Sequence, residues 1–141
     1  MSATPATKTA DVLIVGGGPA GSSAAYQLAK QGVDVLVVEK QQMPRYKTCG
    51  GGVNVRAARL LPFDLDPVIE RTIYRYRFTY RGERSFTRES PEPLTYMTQR
   101  MNLDKYLLDQ AQEAGAHVAE NITIRKVIMA DDHAGVTTDH G

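Results

Sequence analysis

The sequence has a single cysteine, almost no net charge and no apolar run long enough to span a bilayer. Each scarcity removes a class of protein. Cys49 alone cannot build an internal disulfide framework, and so little cysteine suits a reducing compartment such as the cytoplasm. With 17 basic and 16 acidic residues the formal charge is +1. That balance gives no electrostatic case for nucleic acid or an anionic membrane as the main partner. His117, His133 and His140 have no partners at metal-ligand spacing, so no metal site is expected. Residues 1–10, MSATPATKTA, are small and polar with no apolar core of signal-peptide length, and read as a flexible lead-in. Internal repeats and long low-complexity tracts are missing too. What remains is 141 residues, enough for one domain with a real core.

The chain is organised around DVLIVGGGPAG, Asp11 to Gly21. Val12 to Val15 are apolar and mostly β-branched, the pattern of a strand buried on both faces of a parallel sheet. Gly16, Gly18 and Gly21 form G-x-G-x-x-G, whose glycines serve a tight turn, close approach to a pyrophosphate, and packing of helix on strand. A helix is expected over Ser22 to Lys30, with Gly32 past its end. Asp34 to Glu39 reads as a second buried strand. Glu39 follows Gly16 by 23 residues, close to the spacing that sets a carboxylate on ribose hydroxyls. A strand before the turn, a helix after it and an acid at the next strand end favour a nucleotide site over a merely structural glycine turn. The fold class is therefore α/β: a Rossmann-like βαβ unit with a parallel sheet, plus an antiparallel insertion at residues 70–99.

Lys40 to Gly52, KQQMPRYKTCGGG, is loop chemistry. Arg45 and Lys47 could pair with phosphates there, or the loop could be a solvated surface with two ordinary charges. Val53 to Leu61 is expected to be helical, ended by Pro62. Between Ile69 and Tyr80 the period changes: Tyr74, Tyr76, Phe78 and Tyr80 alternate with Arg75, Arg77 and Thr79, as in a strand. Arg81 to Arg84 is a hairpin turn and Ser85 to Arg88 the return. The favoured reading packs the aromatic face and leaves the arginines in water; a pocket wall or a single-strand nucleic-acid platform are the alternatives. Leu94 to Gln99 can be a strand. Asn102 is a good N-cap for a helix carrying Leu103, Tyr106, Leu107 and Ala111, with Gly115 at its end. Ala116 to Glu120 and Ile122 to Met129 read as strands, and Asp131 to Gly135 as a turn before a return strand.

The strings GGGPAGSSAAYQLAKQGVDVLVVEK and PRYKTCGGGV resemble the geranylgeranyl reductase family of flavoproteins, within the wider group resembling p-hydroxybenzoate hydroxylase. Arg100 to Leu107 is similar to that family's R-x-x-F/L-D-x-x-L element. The resemblance implies FAD. It places Gly16, Gly18, Pro19, Ala20 and Gly21 at the pyrophosphate, and Glu39, with Lys40 beside it, toward the adenosine. It places Arg45, Cys49, Gly50, Gly51 and Arg100 by the cofactor, and the backbone of Val127 at the adenine. For Arg100 the alternative is an arginine at a helix entrance. No catalytic residue is assigned; Cys49 is the one candidate, against its reading as a small buried residue in a turn. The implied reaction is hydride transfer from reduced flavin to a prenyl double bond, with NAD(P)H as a candidate donor. The substrate would be a prenyl lipid or other small molecule, and peripheral membrane contact is left open. A monooxygenase or halogenase of the same superfamily, or a non-catalytic nucleotide-binding module, are the competing readings. The resembled enzymes are much longer, and carry Asp-Gly and Gly-Asp motifs beyond this stretch. The resemblance therefore covers only the amino-terminal part of the family and implies an unpaired sheet edge.

Overall fold

The computed structural model describes residues 8–139. Most of the expected lead-in, and His140, lie outside the described residues. The chain divides into two compact units: one takes in the described residues up to Arg45 and from Asp104 onward, the other is Tyr46–Leu103. The second unit includes the 70–99 segment and extends beyond it on both sides.

The first unit opens with β1 (Val12–Val15), α1 (Pro19–Lys30) and β2 (Val35–Val38). The helix starts three residues before the expected Ser22, because Pro19 sits at its first turn, where a missing N–H costs nothing. The chain returns to this unit within α3 (Arg100–Glu113), which leads to β8 (His117–Ala119). These strands form a parallel sheet in the order β1-β2-β8, with Val12 opposite Val35 and Leu36 opposite His117. Both crossovers step the same way across the sheet, so right-handed connections put α1 and α3 on one face. The core agrees: Ala25 of α1 and Leu108 and Ala111 of α3 close on Val35 and Val37. Burying Leu108, Val35 and Val37 contributes roughly 1.5–3 kcal/mol each.

Among the strands of the described residues, only β2 is buried along its whole length. The expectation that β1 is buried on both faces fails, because β1 is an edge strand and Val15 is 60% exposed. The antiparallel ribbon of β9 (Ile124–Met129) and β10 (Ala134–Thr138) completes the unit. Gly135 belongs to β10, opposite Ile128, not to the turn before it. The ribbon's base is tied to the end of β2, where the Ile122 N–H donates to the Glu39 carbonyl at 3.1 Å.

The second unit contains β3 (Gly52–Asn54), α2 (Val55–Ala58), β4 (Arg71–Ile73), β5 (Arg75–Tyr80), β6 (Arg84–Glu89) and β7 (Thr95–Met97). Strands β3 and β4 flank β7 in an antiparallel sheet, and among the described residues β5 pairs with β6 alone. The helix expected at Val53 to Leu61 shrinks to the four residues of α2. Pairing with Tyr96 draws Val53 into a strand, and Asn54 then caps α2 by accepting the Arg56 N–H at 2.8 Å. The expected strand from Ile69 to Tyr80 breaks at Tyr74, since its two halves pair with different partners. Asn102 is not a cap: α3 starts at Arg100, and the Gln99 carbonyl accepts the N–H groups of Asn102 and Leu103. The aromatic face of β5 is not packed. Both strands of its ribbon are exposed throughout, including Tyr76, Phe78, Tyr80 and Phe86.

Candidate functional site

The end of β1 makes the turn the spacing asks for. Gly16 has φ +103 and donates its N–H to the Val38 carbonyl at 2.8 Å, which closes the turn against β2. A Cβ on Gly21 would lie 2.0 Å from the Gly16 carbonyl oxygen, so helix and turn meet with no room for a side chain. Gly18 is the N-cap of α1, extended, and among the described residues no side-chain cap hydrogen bond is made there. The first N–H groups and the positive end of the helix are therefore available to an anion. Ser22 is fully buried and its hydroxyl donates to the Gly17 carbonyl at 3.1 Å, fixing the turn from inside.

Glu39 lies at this turn, only 4% exposed. One carboxylate oxygen accepts the Gly17 N–H at 2.8 Å and the other the Gln41 N–H at 3.1 Å. The residue expected to meet a ribose thus also clamps the turn. Arg45 Nε approaches Glu39 Oε1 at 3.7 Å, and Arg45 Nη1 lies 3.1 Å from Asp104 Oδ2. Nη1 is buried and makes no aligned hydrogen bond among the described residues. A Cβ built on Gly18 would be 3.6 Å from Arg45 Nη2. A glycine without a side chain, uncapped helix donors and a guanidinium at the same turn are what a diphosphate needs, so these residues fit the adenosine-diphosphate part of FAD. Lys40, next to Glu39, is exposed.

In the second unit, Cys49, Gly50 and Arg100 line one cavity of about 270 Å³, together with Tyr46, Lys47 and Thr98. Cys49 is exposed, which removes its reading as a buried turn residue. Its sulfur accepts the Gly51 N–H at 3.5 Å. Gly51 has φ +71, and a Cβ there would meet the Thr98 carbonyl oxygen at 1.8 Å. The Gly51 carbonyl in turn accepts the N–H and hydroxyl of Thr98 at 2.8 and 3.0 Å. The loop is thereby riveted to Thr98, two residues before α3. Val127 sits in β9 opposite Val136, more than half exposed.

Asp104 and Ser22 were not singled out by sequence reasoning. Asp104 stands inside the R-x-x-L-D string, but reads there as an ordinary first-turn acid; its partner Arg45 is remote in the chain. Ser22 had no signal beyond its place after Gly21.

A family model described as FAD binding domain matches residues 9–140. An uncharacterised protein of Methanosarcina barkeri is 30% identical over 132 residues, covering 94% of this chain and 34% of that protein. A flavin-dependent halogenase of Armillaria mellea is 31% identical over 137 residues, covering 88% of this chain and 26% of the halogenase. Among solved structures, a geranylgeranyl bacteriochlorophyll reductase-like protein from Thermoplasma acidophilum superposes with a TM-score of 0.79 at 28% identity, covering 93% of this chain and 35% of that one. The chain spans about a third, or less, of the length of the proteins it matches.

Proposed function

The chain belongs to the FAD binding domain family, and on that premise we propose that it is the adenosine-diphosphate-binding portion of a flavin-dependent oxidoreductase that saturates double bonds of a prenyl chain. The observation that carries the cofactor part is the Gly17 N–H held by Glu39 at 2.8 Å beneath an uncapped helix N-terminus. In this reading Gly16, Gly18 and Gly21 seat the diphosphate, Glu39 accepts from the ribose hydroxyls, and Arg45 balances charge. The reductase part is supported by the loop Pro44 to Gly52, by the shared cavity of Cys49 and Arg100, and by likeness to the Thermoplasma structure. Reduced FAD, recharged by NAD(P)H or another donor, supplies the hydride. A prenyl-lipid substrate would bring the enzyme to a membrane surface; no helix among the described residues is long and apolar enough to cross one.

A second reading, a flavin-dependent halogenase, is favoured by the 31% identity to the Armillaria enzyme. Two measurements decide. Titration with FAD should quench flavin fluorescence saturably; no uptake at high FAD would leave a non-catalytic module. For a flavin-loaded protein, dithionite-reduced FAD and a geranylgeranyl lipid should yield a product heavier by two hydrogens per double bond. Product that forms only with oxygen and halide would establish the halogenase instead.

A further inference from the structure

We propose that Asp104 is a positioning residue for the diphosphate seat: it holds the Arg45 guanidinium in place against the Gly18 turn. The claim rests on the reading of that turn as a diphosphate site and goes one step further into it.

Asp104 is 0% exposed, on the part of α3 that belongs to the same unit as the glycine turn. A carboxylate at such depth is costly unless a cation meets it. Arg45 Nη1 meets it at 3.1 Å. The other guanidinium nitrogens point elsewhere: Nε toward Glu39 at 3.7 Å, and Nη2 toward Gly18, 3.6 Å from where a Cβ would stand. The fork is thus spread over three neighbours, and only the Gly18 side faces the anion seat. Glu39 stands farther off, at 3.7 Å against 3.1 Å, and each of its oxygens also accepts an N–H, from Gly17 and from Gln41. Asp104 is therefore the nearer counter-charge, and the group that fixes which way the guanidinium faces. Arginine suits this task because its planar fork keeps the angles between its donors fixed.

The test compares ADP with adenosine, which lacks the diphosphate, by NMR titration of the purified chain. Asp104→Asn should lower ADP affinity about tenfold, the order expected when a charge-assisted hydrogen bond loses its orientation. Adenosine affinity should stay within about twofold. In an Arg45→Gln background, D104N should cost no further ADP affinity. Equal loss of ADP and adenosine, or no loss of ADP, overturns the positioning role and leaves the diphosphate reading standing. Wild-type chain that binds ADP no better than adenosine overturns both. If D104N does not fold by circular dichroism, Arg45→Lys carries the test. It keeps the charge but not the fork, so the preference for ADP should fall; an unchanged preference overturns the role.

Discussion

A methyl group at Gly21 would sit 2.0 Å from the Gly16 carbonyl, whereas one at Gly18 would make only ordinary contact with Arg45 at 3.6 Å. The two glycines of one motif therefore do different work. Gly21 lets the helix close on the strand, while Gly18 leaves space for a ligand. Gly21→Ala should destabilise the fold by about 2 kcal/mol or more, because backbone must move. Gly18→Ala, at an ordinary negative φ, should change stability by no more than about 1 kcal/mol yet weaken ADP binding. Urea unfolding and ADP titration of both variants check this; equal stability losses would show that the glycines act alike. Ser22→Ala removes a buried hydroxyl bonded to the Gly17 carbonyl. It should cost about 1 kcal/mol in the same unfolding assay. At this scale the spacing of the glycines was legible in the sequence. The distinction between them was not, since it depends on what each absent Cβ would touch.

Among the elements, the β5–β6 ribbon is the one whose sequence and structure diverge in consequence. Its alternation was readable, and the strands pair in the expected hairpin, Phe78 opposite Phe86. Their rings stack at 5.0 Å between centroids. Alternation implies two different faces but does not say that either is covered, and Phe78 and Phe86 are 46% and 59% exposed. A two-stranded ribbon without a covering layer is marginally stable in water. Amides of β5 and β6 should accordingly exchange with solvent well before those of β2. Replacing both phenylalanines with threonine should reduce binding of a hydrophobic dye, with little effect on the unfolding of the parallel sheet. Dye binding that persists in the double variant would place the exposed apolar surface elsewhere. The turn is also informative: Arg81 and Gly82 have φ +51 and +76, and the Glu83 N–H donates to the Tyr80 carbonyl. That is the geometry Asn-Gly prefers, so Arg81→Asn should stabilise the hairpin by a few tenths to about 1 kcal/mol. Slower hydrogen exchange in β5 and β6 would register it.

For the whole molecule, the question is how binding feeds back on folding. A ligand that binds only the native state adds stability by mass action, about 2.7 kcal/mol at one hundred times its dissociation constant. Saturating ADP or FAD should raise the unfolding free energy by that amount, and protection from exchange should grow most in β1, β2 and α1, which build the turn. Adenosine at equal concentration should do much less. Protection confined to the Tyr46–Leu103 unit would contradict the assignment of the diphosphate to the other unit. The exposed end of β1, with Val15 60% exposed at a sheet edge, is a site where another strand could pair. The apparent molar mass measured by light scattering should therefore rise with protein concentration.

What the sequence determined by itself is local. The glycine spacing, the two apolar strands, the long helix before β8 and the hairpin all follow from patterns that lie within a few turns of chain. Tertiary structure alone decided which strand became the buried one, since burial depends on neighbours on both sides, and among the described residues β1 has one. It alone shortened the helix after Cys49, because Val53 found a partner strand whose pairing outweighed its helical spacing. And it alone joined Arg45 to Asp104, because two charges far apart in the chain become a buried pair only when packing removes the water between them.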